Sequence, residues 1–450
     1  MSASFITFGC WNKGFCNSSN VQNVKSNDFS RVVNTLNQYV DAVPLKPAFM
    51  CVLGDNYYPE ILVDAAGKKK KIYSYRELES GFKCLKKLLR TDVPVDILIG
   101  NHDTEGTSKM EEPESKTEEP RHDTSCKITE SQLKLVQSLK TSTNPIQLVL
   151  YNFRTIGNTI IIMVDSNPYI EGNLNCECYM PILMGTKRIK SEMDKVDVPY
   201  LKQLQLEWLS SVYEHFQALK AQQQHFDNVV IMAHHPICCF KMKNGKNRFD
   251  TCPSDEYLKF CHSIYLTLRD ITGASHFYYN SADLHTYQAG TITLTPETSL
   301  DSIQIRQYIV GTGGTTLEPE VSTFESEFKQ VDRIRVDYTV TDAVHDNGFL
   351  VWTVSTVRSR PDIKVQFIKA VDTSFKYTYI HNENRVVEVF NKLPVIKETP
   401  AQRATKTVYR VGNKNRNYSG GGRKHKIKMN TSRKNKSKKS KKMKKNKYIE

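Results

Sequence analysis

Over the first 370 or so residues, short runs of consecutive apolar residues alternate with stretches in which apolar residues recur every three or four positions. That alternation is the mark of an α/β fold. FITF at 5–8, FMCVLGD at 49–55, ILIG at 97–100, IIIMV at 160–164 and VVIMA at 229–233 read as strands. Between them, Phe29, Val32, Val33, Leu36 and Val40 fall at helical spacing, as do Leu78, Phe82, Leu85 and Leu89. Helices are also predicted around Leu201–Leu219 and Asp255–Ile271, followed by a strand at HFYY, 276–279. From Thr291 onward strands dominate: TITLT, IQIRQYIV, DRIRVDYTV, GFLVWTV, IKVQFIKA and FKYTYI. No apolar run approaches the ~18 residues that span a bilayer, so no transmembrane segment is expected, and no internal repeat is visible.

Two stretches break the rhythm. Residues 104–126 are rich in Glu, Ser, Thr and Pro and almost free of apolar residues, which predicts a solvated acidic insertion loop. Residues 411–450 hold sixteen Lys/Arg against one acid, so the other 410 residues carry 47 of the 63 basic and 47 of the 48 acidic side chains. The formal charge of +15 therefore belongs to the tail alone. Such a block buries too little surface to fold and is expected to be a disordered interaction arm. Polyanions or nucleic acid are its natural partners, held through counterion release without base stacking; RKNKSKKSKKMKKNK also looks like a nuclear-localisation cluster. The N-terminus lacks a basic region and an apolar core, which predicts no secretory signal and a cytoplasmic or nuclear protein, or a virion-associated one. The eleven cysteines show no paired CxxC spacing and read as free thiols in a reducing compartment.

The chemistry-bearing residues gather where predicted strands end: GCWNKG at 9–14, GDNYY at 54–58, GNHD at 100–103, AHHP at 233–236 and SADLH at 281–285. In open α/β sheets, ligands bind at the carboxyl ends of strands. A pair of metal ions needs a bridging carboxylate within a shell of oxygen and nitrogen donors; Asp55 suits the bridge, and Asn101, His234 and His285 suit the shell. Each motif alone reads first as a turn, a surface histidine or strand-end polarity. Their joint, ordered occurrence, each after its own strand, carries the argument.

In that order the motifs resemble those of calcineurin-like metallophosphoesterases, and GDNYY with SADLHTYQ is similar to the small purple (tartrate-resistant) acid phosphatases, whose pattern reads GDxG, GDNFY, GNHD, GHYP and GHDHNLQ. QLEWL at 205–209, VGTGG at 310–314 and NGFLVWTV at 347–354 extend the likeness over about residues 4–380. The resemblance implies two packed mixed β-sheets flanked by helices, forming one domain over 1–380, with a terminal extension at 381–410 and the basic tail at 411–450. It implies hydrolysis of phosphomonoesters with two metal ions, of iron, zinc or manganese. Asp55 would bridge them, Tyr58 and His285 would bind the first, and Asn101 and His234 the second. His102 would contact the phosphate and protonate the leaving alkoxide, with Asp103 orienting it; Asn101 and His235 complete the substrate contacts. Asp165 is expected to be structural support, and Tyr57 beside Tyr58 leaves the register of the tyrosine ligand open.

Two positions depart from the family. Cys10 stands where it has Asp, and Asp283 where it has His. Both types ligate metals, and a thiolate favours zinc or iron(II) over manganese or magnesium; Cys10 reads equally as a small buried filler. The family's substrate-binding imidazole is missing from HHPICCFKMKNGKNR, leaving Lys241, Lys243 or Lys246 as phosphate contacts or as solvated surface. Two other classes stay open: a degenerate phosphoesterase-like binding module, and a nucleic-acid-packaging or virion-type protein acting through its tail.

Overall fold

The computed structural model describes residues 2–13, 28–43, 45–58, 60–63, 69–88, 93–104, 109–110, 126–140, 145–170, 174–184, 196–251, 254–297, 301–319, 321, 323, 325–355, 363–370 and 379–380. The chain divides into two units, Met1–Leu393 and Pro394–Glu450. The second lies wholly outside the described residues, as do the expected terminal extension and basic tail and most of the insertion at 104–126.

Strands with apolar side chains on both faces must be covered on both faces. Met50 and Val52 point one way, into a core with the helices Asp28–Ala42, Tyr75–Leu88 and Lys127–Leu139. Cys51 and Leu53 point the other way, into a core shared with Ile161, Met163, Val230 and Met232. The alternate residues Ile160, Ile162, Val229 and Ile231 then face the helices Val198–Ala221 and Asp255–Thr272. Period-two alternation along short strands thus dictates helices, sheet, sheet, helices. The expected α/β sandwich of two mixed sheets flanked by helices is borne out.

The first sheet runs, edge to edge, Tyr379–Ile380, Ile363–Lys369, Gly348–Ser355, Ser2–Phe8, Met50–Leu53, Val95–Leu98 and Ile146–Leu148. The second runs Ser326–Val331, Ile334–Val344, Tyr287–Pro296, Ile303–Val310, His276–Ser281, Asn228–Met232, Thr159–Met163 and Asn152–Ile156. Ser2–Phe8, Met50–Leu53 and Val95–Leu98 are mutually parallel in the first sheet, as are Thr159–Met163, Asn228–Met232 and His276–Ser281 in the second. Their carboxyl ends therefore share one edge of the sandwich, where the motif residues lie. At the interface, buried Asp96 accepts from Arg154 of the opposite sheet (Nη2 to Oδ1, 3.1 Å), so the charge is not left unpaired.

Inside the stretch expected to be an acidic insertion loop, Lys109–Met110 forms a strand beside Lys69–Tyr73 in a small three-stranded sheet with Glu60–Val63. HHPICCFKMKNGKNR forms a hairpin of Cys238–Lys243 and Lys246–Thr251. The cysteines are not all free: Cys126, at the start of Lys127–Leu139, is bridged to Cys178 in the short 3-10 turn Cys176–Tyr179, and Cys84 is disulfide-bonded too. No helix among the described residues is long and apolar enough to cross a membrane.

Candidate functional site

The loops that follow the parallel strands approach one another so closely that side chains would block them. A Cβ on Gly100 would lie 2.2 Å from Asp55 Oδ1, and one on Gly54, at φ +87°, only 2.6 Å from the Gly100 nitrogen. Backbone bonds then stitch the first two loops together, with Cys10 N donating to Gly54 O and Trp11 N to Asp55 O. Cys10, Asp55 and Asp283 all adopt left-handed backbone conformations, at φ 52°, 51° and 56°. Asp283 does so inside a three-residue turn closed by Leu284 N donating to Ala282 O at 2.6 Å. Non-glycine residues pay for such conformations, and their concentration at three candidate ligands points to a functional constraint.

The donors form two groups, Cys10 with Asp55 and His285, and His234 with His235 and Asp283, each group's ligand atoms lying within 4.8 Å of one another. Asp55 faces both. Its Oδ2 accepts from Tyr58 Oη (2.7 Å) and lies 3.9 Å from Cys10 Sγ; its Oδ1 lies 3.2 Å from His234 Nε2 and accepts from His102 N (3.1 Å). Tyr58 Oη is also 2.9 Å from His285 Nε2, and His234 Nε2 is 3.0 Å from Asn101 Oδ1. Asp283 Oδ1 stands 3.9 Å from both His234 and His235. The expected Asp55, Tyr58, His285, Asn101, His234, Asp283 and Cys10 are thus brought together, with Cys10 and Asp55 essentially sealed from solvent. Tyr58 is the tyrosine in the site; Tyr57 turns away, its hydroxyl accepting from Ser74 N at 2.9 Å.

These groups fit cations. The 2.7 and 3.2 Å that separate the Asp55 oxygens from Tyr58 and His234 match the ~3.0 Å edges of an octahedron with bonds of ~2.1 Å, while the Cys10 and Asp283 donors stand wider, at 3.9 Å. The field has the matching sign. Burial pulls His234 down, yet Asp55 overrules it and pushes the imidazole up to about 9. Burial raises the Asp55 carboxyl, but His234, His102 and the Tyr58 hydrogen bond together hold it well below the usual carboxylate range. Positive charge is favoured at that point. His235 and His285 are lowered by burial, His235 to about 3, and so are neutral imidazoles suited to ligation. The other ring nitrogens are spoken for: His234 Nδ1 bonds Leu53 O (2.7 Å), His285 Nδ1 bonds Thr316 O (3.1 Å) and His235 Nδ1 meets Ser166 Oγ (2.8 Å). Bonds of that kind select the tautomer and aim Nε2 into the site.

Asp103, expected to orient His102, is engaged by other groups. Its carboxylate accepts from Asn56 N (2.9 Å), Asn56 Nδ2 (3.0 Å), Gly100 N (2.8 Å) and Gln132 Nε2 (2.6 Å), clasping two site loops to a helix. Burial and the Asp55 charge push it up to about 7. His102 instead lies with its ring 4.9 Å from that of Tyr58. His235, expected as a substrate contact, is a buried member of the second donor group. Asp165, whose carboxylate accepts from Asn167 N (2.9 Å), has the expected supporting place.

Sequence reading missed the amides that hold this edge. Asn56 spans the site's underside, accepting from Trp11 Nε1 (2.9 Å) and donating to Leu98 O (2.8 Å). Gln307 and Gln288, both fully buried, take up the backbone of the segment after His235. Gln307 Oε1 accepts from Ile237 N (2.9 Å) and its Nε2 donates to Cys238 O (2.6 Å). Gln288 does the same for Phe240 N (3.1 Å) and O (2.7 Å). A glutamine at an inward strand position is the available signal, since a buried amide needs a backbone-like partner. At the rim, Lys13 donates to Thr316 Oγ1 (3.1 Å), on the residue that holds His285.

No protein-family model and no curated protein matches the chain. Among solved structures it is similar to PhoD at 10% identity and a TM-score of 0.42, over 86% of this chain and 73% of that one. It is also similar to a provisionally named 5′-nucleotidase from Staphylococcus aureus in complex with α-ketoglutarate, at 10% identity and a TM-score of 0.34, over 83% of this chain and 55% of that one. Likenesses this distant leave the functional reading to the site's own geometry.

Proposed function

We propose that the chain is a metal-dependent phosphoesterase that hydrolyses phosphomonoesters. One observation carries the reading: the two oxygens of buried Asp55 face different donor groups, the arrangement a carboxylate needs to bridge two ions. Cys10, Tyr58 and His285 would hold one ion, and Asn101, His234, His235 and Asp283 the other. Bound there, the ions supply a water of lowered pKa and neutralise charge on the phosphate. The protein's own groups do the rest. His102, braced by its backbone bond to Asp55 and by the Tyr58 ring, donates a proton to the leaving oxygen. Asp103 keeps the Gly100–Thr104 loop in register through Asn56 and Gln132. Lys13, at the rim beside Thr316, would contact a phosphate oxygen.

Metal analysis of the purified chain, with hydrolysis of an aryl phosphate by wild type and Asp55→Asn, tests this. About two ions per wild-type chain, and turnover that the substitution abolishes, are expected. A chain that stays metal-free and inactive after reconstitution with zinc, iron or manganese sinks the catalytic reading and leaves a binding module.

A further inference from the structure

The hairpin Cys238–Thr251 carries charge that the reading above does not use. Its strands pair Lys241 with Arg248 and Lys243 with Lys246, directly opposite each other. Alternation along the strands puts all four cations on one face, and like charges directly opposed cost a hairpin stability. Asp250 lies 3.8 Å from Lys241; among the described residues no acid pairs with Lys243, Lys246 or Arg248. This is not a loose, solvated run. Asn244 and Gly245, both at positive φ (53° and 71°), make the tight two-residue turn that fixes register. Phe240 and Phe249, on the other face, pack with Tyr338, and Gln288 and Gln307 clamp the root.

The cationic face also starts at the metal-ligand cluster. Cys239, two residues before Lys241 and on the same face, packs on Leu284, which sits between Asp283 and His285. From there the face emerges into solvent through half-buried Lys241 to exposed Lys243. Same-face residues on a strand stand ~6.7 Å apart, and opposed ones ~5 Å. The four cations thus form two successive pairs leading away from the site. No aromatic ring shares the face, so phosphates are read without bases.

Resting on the phosphoesterase reading, we propose that this hairpin is a second anion site, where Lys243, Lys246 and Arg248 hold the phosphates that follow the scissile one in a linear polyphosphorylated substrate. The test compares full-length wild type with the triple variant Lys243→Gln, Lys246→Gln, Arg248→Gln. Three substrates are used: an aryl phosphate, a 5′-phosphorylated oligothymidylate and inorganic tripolyphosphate. The ratio of kcat/KM for a polyphosphorylated substrate over aryl phosphate is expected to fall about tenfold or more. A fall confined to one of the two identifies the source of the phosphate run. For the oligonucleotide, the slope of log(kcat/KM) against log salt should flatten by about 2, as three cations are removed. Ratios and slopes unchanged for both substrates overturn the proposal. Binding of labelled oligothymidylate without metal keeps the two readings apart: a tenfold weaker variant supports the anion site even if wild type hydrolyses nothing, and equal affinities with equal salt slopes refute it.

Discussion

Replacing Gln307 by Leu tests whether buried amides, and not the hairpin's own ladder, hold the His234–His235 segment in place. The side chain makes two well-formed bonds, to Ile237 N at 2.9 Å and Cys238 O at 2.6 Å, and a third at the geometric limit, to Cys238 N at 3.5 Å. Leucine keeps the volume but strands two buried backbone groups, each costing ~1–3 kcal/mol. About 3 kcal/mol is therefore expected to leave the local opening free energy, which corresponds to ~10²-fold faster amide exchange. The assay is hydrogen exchange at Ile237 and Cys238, with Phe240, held by Gln288, as the internal reference. Gln288→Leu should reverse the pattern. Uniform acceleration across the second sheet, with no excess at these amides, would refute the clamp and reduce Gln307 to ordinary core packing. If the clamp reasoning holds, Gln307→Leu also lowers kcat/KM on aryl phosphate, because His235 lies one Pro before Ile237.

Tyr58→Phe should lower metal content, whereas Tyr57→Phe should leave it intact and cost ~1 kcal/mol in urea unfolding through the lost Ser74 bond; equal metal content in both variants removes Tyr58 from the ligand set. Burial raises Asp165 to about 7, against ~3.9 when exposed. The stability it contributes is therefore full below about pH 4 and lost as pH rises through 7. Wild type should lose stability relative to Asp165→Asn between pH 4 and 7 and run parallel above it; a difference that does not change with pH refutes the assignment. Cys126→Ser opens a bridge across a sequence separation of 52, for which loop entropy gives about 4 kcal/mol. Its melting temperature should fall toward that of reduced wild type and stay above it, since the reduced chain also loses the Cys84 bridge; an unchanged melt refutes the tether.

Strands buried on both faces are legible because their apolar runs are continuous, and the polar residue that ends each run then stands out. GDN after MCVL and GNH after VDILI are visible for that reason. Direction is less legible. His102 and Asp103 look like a pair in sequence, but they lie in the short helix Asn101–Thr104, where successive side chains diverge by ~100°. Asp103 turns under the loop toward Gln132, on a helix whose polar sequence, KITESQLKLVQSL, conceals its apolar stripe. The Cys126–Cys178 bridge joins residues far apart in the chain, and spacing alone does not encode such pairs. The hairpin went unread as a hairpin because KMKNGKNR looks like solvated charge until its NG turn sets the cations opposite one another.

Asp55 comes from the first sheet and His234 from the second, and they meet only when the sheets are docked. The site is therefore also a gauge of assembly: a folding intermediate with one finished sheet has half a ligand set and half an affinity surface. Any ion the native site binds must stabilise the docked state over its precursors, by ~2.7 kcal/mol at a hundred times Kd. On the metal-dependent reading proposed above, cation supply during synthesis would then help set the yield. The unfolding midpoint should climb with free zinc in wild type and stay level in Asp55→Asn.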